Sequence, residues 1–549
     1  MDNPLSLSPG KLVKGHSGPP QPINADAAIN HFPSELLSKI FLICAASLPT
    51  DELFDRTGYQ DNFKCADHLP WIAIAQVCRY WRSIALGCGE LWRRLVFSSP
   101  EATSEMVRRS NGVPLIVQAE SSYDRGIYEN IRTVISDMRR VSVLHLSFPP
   151  HHLHHLLREL SATAPQLESL RLRTPSYSAH PHDIQYHILN FDFRGDSFNM
   201  PDFIHTPSLR LLELTRCKFS WQPLPPSLCG LTHLELRKIS PPPTIAQILS
   251  FLRGLPMLNT LIIEEALPTL LRDDTSTDNP SPRQLFRNLR ALTLCGSVDA
   301  CSILLQQICY ATTTAVALKC DISSRPSPDF CKLLRAAKSA ATFGGGGHSI
   351  QSLFVADQME CLILSHPAPS LSSSNVPRLA IIMGGQSYLP HGVYANHLVR
   401  SSMIALPIAE VQTLQLSGMS SDHIDWSEFL HHLPKIHTIY IRLTFPLNFI
   451  NLLAGDGEQI MESSKPVTVI LPQLRSLWLT GVNFHDTDCT AQSFLACLQS
   501  RAQLDLPIQD LHIRDSIFLY EREVEMMKEF VQDVDWDGIE QDDPYDWNP

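Results

Sequence analysis

From about residue 140 the chain repeats one short spacing: apolar-x-x-apolar-x-apolar. Copies begin at Val141, Leu167, Leu209, Leu231, Leu258, Leu289, Ile350, Val376, Val411, Ile436, Leu474 and Ile508, and a weaker copy runs through Ala315, Leu318 and Cys320. The last two apolar residues of each copy stand two apart, as Leu234 and Leu236 do. That is the period of a strand with one face buried. Helix-like stretches lie between copies, at His154 to Leu160, Thr244 to Leu252, Cys301 to Cys309 and Ala491 to Leu498. Starts fall 22 to 42 residues apart once the weaker copy is counted, a spacing that suits a strand plus a returning helix. One such unit cannot bury its leucines alone, whereas stacked units form a parallel sheet with a continuous core. Strand alternation turns the residues between the leucines outward. These are His145, Arg171, Glu213, Glu235, Ile262, Thr293, Phe354, Ala380, Gln415, Tyr440, Trp478 and His512.

The first 140 residues read differently. Residues 1–28 are rich in Pro, Gly, Ser and Asn and lack an apolar run, so they are expected to be disordered. Pro33 suits a first helical position, and Glu35 complements the positive end of the helix dipole. On that helix Phe32, Leu36 and Ile40 share a face, with Leu37 and Phe41 beside it. A polar insert follows, from about Pro49 to Leu69. Trp71, Ile74, Cys78, Trp81 and Ala85 then follow a 3-4 spacing that predicts one helix, ended by Gly87 and Gly89. The stretch from Glu90 to Phe97 becomes strand-like. So much apolar surface in a small module either fills its own core or covers a partner.

Composition narrows the function classes. The net charge is -12, with 44 basic and 56 acidic residues. The basic residues cluster only as pairs such as Arg93-Arg94 and Arg139-Arg140, which argues against nucleic acid as a partner. The acidity is concentrated: between Glu521 and Pro549 eleven acidic residues face only Arg522 and Lys528. That segment carries -9 and leaves -3 for the other 520 residues. Val524, Met527 and Phe530 favour a helix at its start, and the remainder is expected to be a solvated tail. The N-terminus lacks the h-region of a signal peptide. The two long charge-free stretches, Ala300 to Leu318 and Leu379 to Val399, hold too many polar residues for a membrane span. Fourteen cysteines without a CxxC pair suggest free thiols in an intracellular protein, cytoplasmic or nuclear. His151, His152, His154 and His155 lack acidic or cysteine partners at ligand spacing, so a solvated helix face is expected there. Gly344 to Gly347 lack the ending of a phosphate loop. No catalytic constellation, cofactor motif or metal motif is present in the sequence.

The N-terminal residues carry a family resemblance. Phe32-Pro33-Ser34-Glu35-Leu36-Leu37-Ser38-Lys39-Ile40-Phe41 resembles the Leu-Pro-x-Glu-[Ile/Leu]-Leu-x-x-Ile-Phe opening of the F-box. Val77-Cys78-Arg79-Tyr80-Trp81-Arg82-Ser83-Ile84-Ala85 resembles its second block, and Leu91-Trp92 its closing pair. The longer insert is similar to F-box-like variants common in mushroom-type fungi. The resemblance implies a three-helix motif that docks on the Skp-type adaptor of an SCF cullin-RING ubiquitin ligase. It implies adaptor-binding positions at Pro33, Leu36, Leu37, Ile40, Val77, Cys78, Trp81 and Trp92. The later array resembles the irregular leucine-rich repeats attached to many F-box proteins, although its consensus polar position reads Cys217, Ile239, Ala266 or Val482 instead of an Asn ladder.

The expected architecture is an α/β solenoid: a small all-α F-box-like module and then a leucine-rich-repeat array with a parallel sheet. Its expected parts are a disordered 1–28, the F-box-like 29–97, a linker or first-repeat cap at 98–140, the repeats at 141–520 and the acidic 521–549. Tyr440, Arg442, Trp478, His512 and Arg514 fall on adjacent strands. Tyr, Trp and Arg dominate binding hot spots, so these five residues form the expected target-binding patch. The expected role is a non-catalytic substrate receptor without cofactor or metal. Its partners would be the adaptor, the cullin scaffold and an unknown protein target, with no membrane contact. The alternative is a scaffold that binds the adaptor without serving degradation.

Overall fold

The computed structural model describes residues 28–46, 70–97, 99–120, 125–158, 163–174, 206–217, 219, 221, 228–268, 283–322, 328–343, 350–356, 361–365, 379–384, 393–418, 424–455, 470–486 and 489–541. Of the residues 1–28 expected to be disordered only Ala28 is described, in a 3-10 turn; the insert, the glycine run and the final eight residues also lie outside the described residues. The chain divides into two compact units: Met1–Ile116 with Arg125–Asn130, and Val117–Asp124 with Ile131–Pro549.

In the first unit, helix α1 (Ser34–Ala46) follows a short 3-10 turn at Ala28–His31. The expected apolar face is rotated. Leu37 and Phe41 are fully buried and Ile40 is half-buried, while Phe32 and Leu36 are exposed. The cause is packing, because the Phe41 ring lies 5.1 Å from that of Trp81. The expected single helix from Trp71 to Ala85 is two pieces, a 3-10 helix Pro70–Gln76 and α2 (Arg79–Gly87). Cys78 is extended between them, and its Sγ accepts the Trp81 N–H as an N-cap. Arg82 Nε donates to the Ala75 carbonyl at 2.9 Å and ties the pieces together.

The unit does not end at residue 97. Helix α3 (Pro100–Arg109) belongs to it. Thr103 donates to the Val96 carbonyl at 2.9 Å, and the Arg109 guanidinium sits 4.3 Å from the Trp92 ring. Ile116 exchanges backbone bonds with Arg93 and Leu95. Of the two readings for 98–140, linker or first-repeat cap, the described residues are structured, as a cap would be and a linker would not.

In the second unit every copy of the apolar spacing is a strand. The strands are β1 (Leu115–Glu120), β2 (Val141–Ser147), β3 (Ser169–Arg173), β4 (Leu211–Thr215), β5 (His233–Arg237), β6 (Thr260–Glu264), β8 (Ala291–Ser297) and β10 (Ala315–Asp321). They continue with β12 (Ser352–Ala356), β13 (Cys361–Ser365), β14 (Leu379–Gly384), β15 (Thr413–Ser417), β16 (Thr438–Arg442), β17 (Ser476–Thr480), β20 (Asp510–Arg514) and β21 (Asp533–Trp536). These sixteen form one sheet. Short strands β7 (Gln284–Phe286), β9 (Ile308–Ala311) and β11 (Ala341–Phe343) pair in a small parallel sheet of their own, and β18 (His485–Asp486) and β19 (Cys489–Thr490) form an antiparallel pair. Helices return between the strands; Val298–Gln307, for example, packs on β8 and β10. Thr244 starts another, Ile245–Arg253, with a reciprocal capping pair to Gln247.

The register aligns two buried rows. Leu144, Leu170, Leu212, Leu234, Leu261, Leu292 and Val316 form one, and Leu146, Leu172, Leu214, Leu236, Ile263, Leu294 and Leu318 the other. Fully burying one such side chain stabilises by about 1.5–3 kcal/mol.

Strand order departs from sequence order once. The sheet reads β10-β14-β13-β12-β15, so the copy at 376 precedes the copy at 350 in space. Between them β13, which the spacing did not reveal, runs antiparallel to both neighbours. Each copy still supplies its two apolar residues to the same rows, because Leu379 and Ile381 align with Val316 and Leu318, and Leu353 and Val355 align with Leu414 and Leu416.

The acidic segment also differs from expectation. Its helix forms at Glu521–Met527 with Val524 and Met527 buried. The chain then adds β21, parallel to β20, so residues 533–536 belong to the sheet rather than to a solvated tail.

Strand exits share one backbone device. Arg216, Lys238, Glu265, Gly418, Leu443, Gly481 and Asp515 each follow a strand and all have positive φ. Six of them donate their N–H to a backbone carbonyl of the neighbouring strand, as Gly481 does to Arg514 at 2.9 Å. At Gly481, φ is +64°. Gly481→Val is expected to lower stability by about 1–2 kcal/mol, measurable as a reduced denaturation midpoint with unchanged slope.

Candidate functional site

The first unit separates core from surface among its sequence-predicted contact residues. Leu37 is 0% exposed and Trp92 is 6% exposed. Trp92 Nε1 donates to the Ala85 carbonyl at 2.8 Å, so both ends of this indole are used internally. Trp81, Cys78 and Ile40 are half-buried. Leu36 (48%) and Val77 (55%) are exposed, as is Pro33. Sequence reasoning missed Ile43 (65%) and Tyr80 (40%) as exposed apolar groups. Tyr80 Oη donates to the Phe32 carbonyl at 3.1 Å and holds the start of α1 to α2. Phe32, Leu36, Ile43, Val77 and Tyr80 leave this unit with several large apolar side chains in solvent, and a 4-3 step through Ile40 puts Leu36 and Ile43 along one side of α1.

The sequence profile of the F-box-like family matches residues 29–98. This stretch is an F-box-like domain. No curated protein matches the chain. The F-box-like domain is thus a helical module whose core is built on Leu37, Phe41, Ala85, Leu91 and Trp92. Among the described residues no helix of the chain is long and apolar enough to cross a membrane.

On the sheet, the second predicted site comes together. Tyr440, Trp478 and His512 are register partners on β16, β17 and β20. The Tyr440 and Trp478 rings stack with centroids 5.5 Å apart, and Trp478 and His512 stack at 3.6 Å and 17°. Trp478 Nε1 donates to Ser476 Oγ at 3.1 Å, which fixes the indole. Burial pushes the Tyr440 phenol above its usual pKa. Arg442 is exposed and is two residues along from Tyr440. Arg514 is engaged: its guanidinium pairs with Asp535 on β21, and His512 Nδ1 lies 3.1 Å from the same carboxylate. The Arg514 guanidinium, and then His512, hold the Asp535 carboxyl below the ordinary range. No spacing pattern announced Asp535, because β21 lacks the leucine signature.

The other outward positions are not equally open. His145 is buried, with its ring nitrogens at 3.1 Å from Gln118 and 2.8 Å from Ser169. Across β3 to β6 the outward residues form a charge ladder. Arg171 lies 2.9 Å from Glu213, Arg237 pairs with Glu235 and lies 2.8 Å from Glu264, and Lys319 lies 2.6 Å from Glu264. Glu213, His233 and Glu235 bring three metal-ligand atoms within 4.8 Å of one another. A guanidinium already sits on each of those carboxylates, which favours an ion-pair ladder over a cation site. Burial pushes the Glu213 carboxyl up. For Glu235 burial acts the same way, but His233 and Arg237 outweigh it and the net shift is down.

Two outcomes test this geometry. Leu37→Ala should destabilise the F-box-like domain by about 2–5 kcal/mol, whereas Leu36→Ala should change its melting by no more than about 0.5 kcal/mol. The depressed Asp535 carboxyl contributes stability above the unfolded value, near pH 3.9, and loses it as pH falls through the folded value. Amide exchange of residues 533–536, corrected for intrinsic rate, should therefore rise below about pH 4. Asp535→Asn should abolish that pH step.

Proposed function

We propose that this protein is the substrate-recognition subunit of an SCF-type cullin-RING ubiquitin ligase, working in the cytoplasm or nucleus. The observation that carries the reading is the F-box-like match at residues 29–98 together with the exposed apolar side chains of that domain. In this reading Pro33, Leu36 and Val77 contact a Skp-type adaptor directly. Ile40, Cys78 and Trp81 lie at the boundary of that contact, and Leu37 and Trp92 support it from the core. The cullin joins through the adaptor.

The second unit is an irregular leucine-rich-repeat solenoid in this reading, and its outward sheet face holds the target. The stacked Tyr440, Trp478 and His512, with Arg442 and Arg514, form the anchor of that contact. The rings are held by each other and by the backbone register, so little side-chain freedom is lost on binding. The protein is non-catalytic. It raises the effective concentration of the target beside the ubiquitin-conjugating enzyme.

Purified Skp-type adaptor should be captured by the full chain. A Leu36→Glu/Val77→Glu variant that melts like wild type should lose at least about tenfold in affinity. Equal capture by both would defeat the adaptor assignment. Deleting residues 29–97 in cells should lengthen the half-life of the bound target. A target whose half-life is unchanged would instead identify a scaffold without a degradative role. Trp478→Ala should weaken target capture by about tenfold or more without changing adaptor capture.

A further inference from the structure

The C-terminal ends of β3 to β6 enclose a pocket of about 230 Å³. Four cationic side chains line it, Arg173, Arg216, Arg237 and Lys238, against two carboxylates, Glu264 and Glu265. Both carboxylates are committed, and so are most of the cations: Arg237 pairs with Glu235 as well as Glu264, and Arg173 has a partner of its own. Lys238 Nζ lies 3.0 Å from Glu265, and Glu264 takes Arg237 and Lys319. Arg216 is half-buried, and its guanidinium meets no carboxylate among the described residues. A partly desolvated guanidinium gains most from a charge-assisted bond to an anion.

The backbone places two of these cations alike. Arg216 and Lys238 occupy the strand-exit turn with φ of +54° and +52°. Glycine fills the same turn after β15 and β17, at Gly418 and Gly481, and Glu265, Leu443 and Asp515 fill it after β6, β16 and β20. Glycine adopts that conformation freely, whereas a residue with a Cβ is strained in it. At β4 and β5 the side chain carried by this turn is a long cation. Both cations line the same pocket. The excess of positive charge is local, because the chain as a whole carries -12.

We propose that this pocket binds one anionic side chain, a carboxylate or a phosphoryl group, on a protein segment lying across the sheet face. The proposal rests on the reading of this face as the target surface, and it is independent of adaptor docking.

Fluorescence anisotropy with the full-length protein tests it. The probes are a short labelled Gly-Ser peptide, the same peptide with a central Glu cluster, and the same peptide with a central phosphoserine. At least one anionic probe should bind about tenfold or more tighter than the uncharged parent, and added salt should shrink the difference. The tighter of the two tells carboxylate from phosphoryl. Arg216→Gln with Lys238→Gln should remove most of the preference, Arg216→Lys should retain part of it, and Arg335→Gln, on the helix Phe330–Ala340, should leave it intact. Thermal melting of each variant checks its fold. The proposal is overturned if neither anionic probe exceeds the parent, or if the double variant binds them like wild type. Adaptor capture by the same preparations separates failure of this site from failure of the receptor reading.

Discussion

Leu144, Leu170, Leu212, Leu234, Leu261 and Leu292 stand side by side on successive strands, and a second row from Leu146 to Leu294 runs two residues further along. Side chains alternate with a period of two, so a slip of one residue in any strand would turn its pair of apolar groups to water. The hydrophobic penalty for that slip fixes the register, and the backbone bonds follow. Everything on the opposite face inherits its alignment from these rows. Tyr440, Trp478 and His512 stack because Ile439, Leu477 and Leu511 align behind them on one side and Ile441, Leu479 and Ile513 on the other. The charge ladder of Arg171, Glu213, Glu235 and Arg237 is placed in the same way.

The F-box-like domain divides its apolar residues by a different geometry. Leu36 and Leu37 are neighbours in sequence, yet one is half in solvent and the other has no exposure at all. A helix advances about 100° per residue, so adjacent leucines serve opposite surfaces. The break at Cys78 adds a second separation. It releases α2 from the direction of the 3-10 helix Pro70–Gln76, and Val77 emerges at the corner. A small module can thus keep a closed core and still present apolar groups.

Much of this was legible in the sequence. The strand positions, the inward pairs and the outward partners follow from one spacing. What the spacing lacked was spatial order. The copies at 350 and 376 supply the same apolar pair, so exchanging their places costs the rows nothing and leaves no trace in the pattern. The rotation of α1 was hidden for a related reason, since Phe32, Leu36 and Ile40 are as apolar as Leu37 and Phe41. Packing against the rest of the module, including the contact with Trp81, decides which stripe faces inward. The helix break at Cys78 depends on a side-chain cap within an apolar stretch of helical period. Asp535 was invisible because β21 reads as part of an acidic run, and its pairing with His512 and Arg514 exists only once the strand is added.

That last strand has a consequence for the molecule in solution. A sheet that stops presents a row of unpaired backbone groups, ready to accept a strand from another copy. Among the described residues the sheet stops at β21, whose outward positions are Asp533 and Asp535. Asp535 is taken up by Arg514 and His512, while Asp533 and the neighbouring acidic residues disfavour the approach of a second such strand. The acidic run thus gives the sheet a self-avoiding boundary. Without it, β20 would offer its aromatic neighbour and its apolar pair to any passing strand, and the same stacking that builds the sheet within one chain would be free to continue between chains.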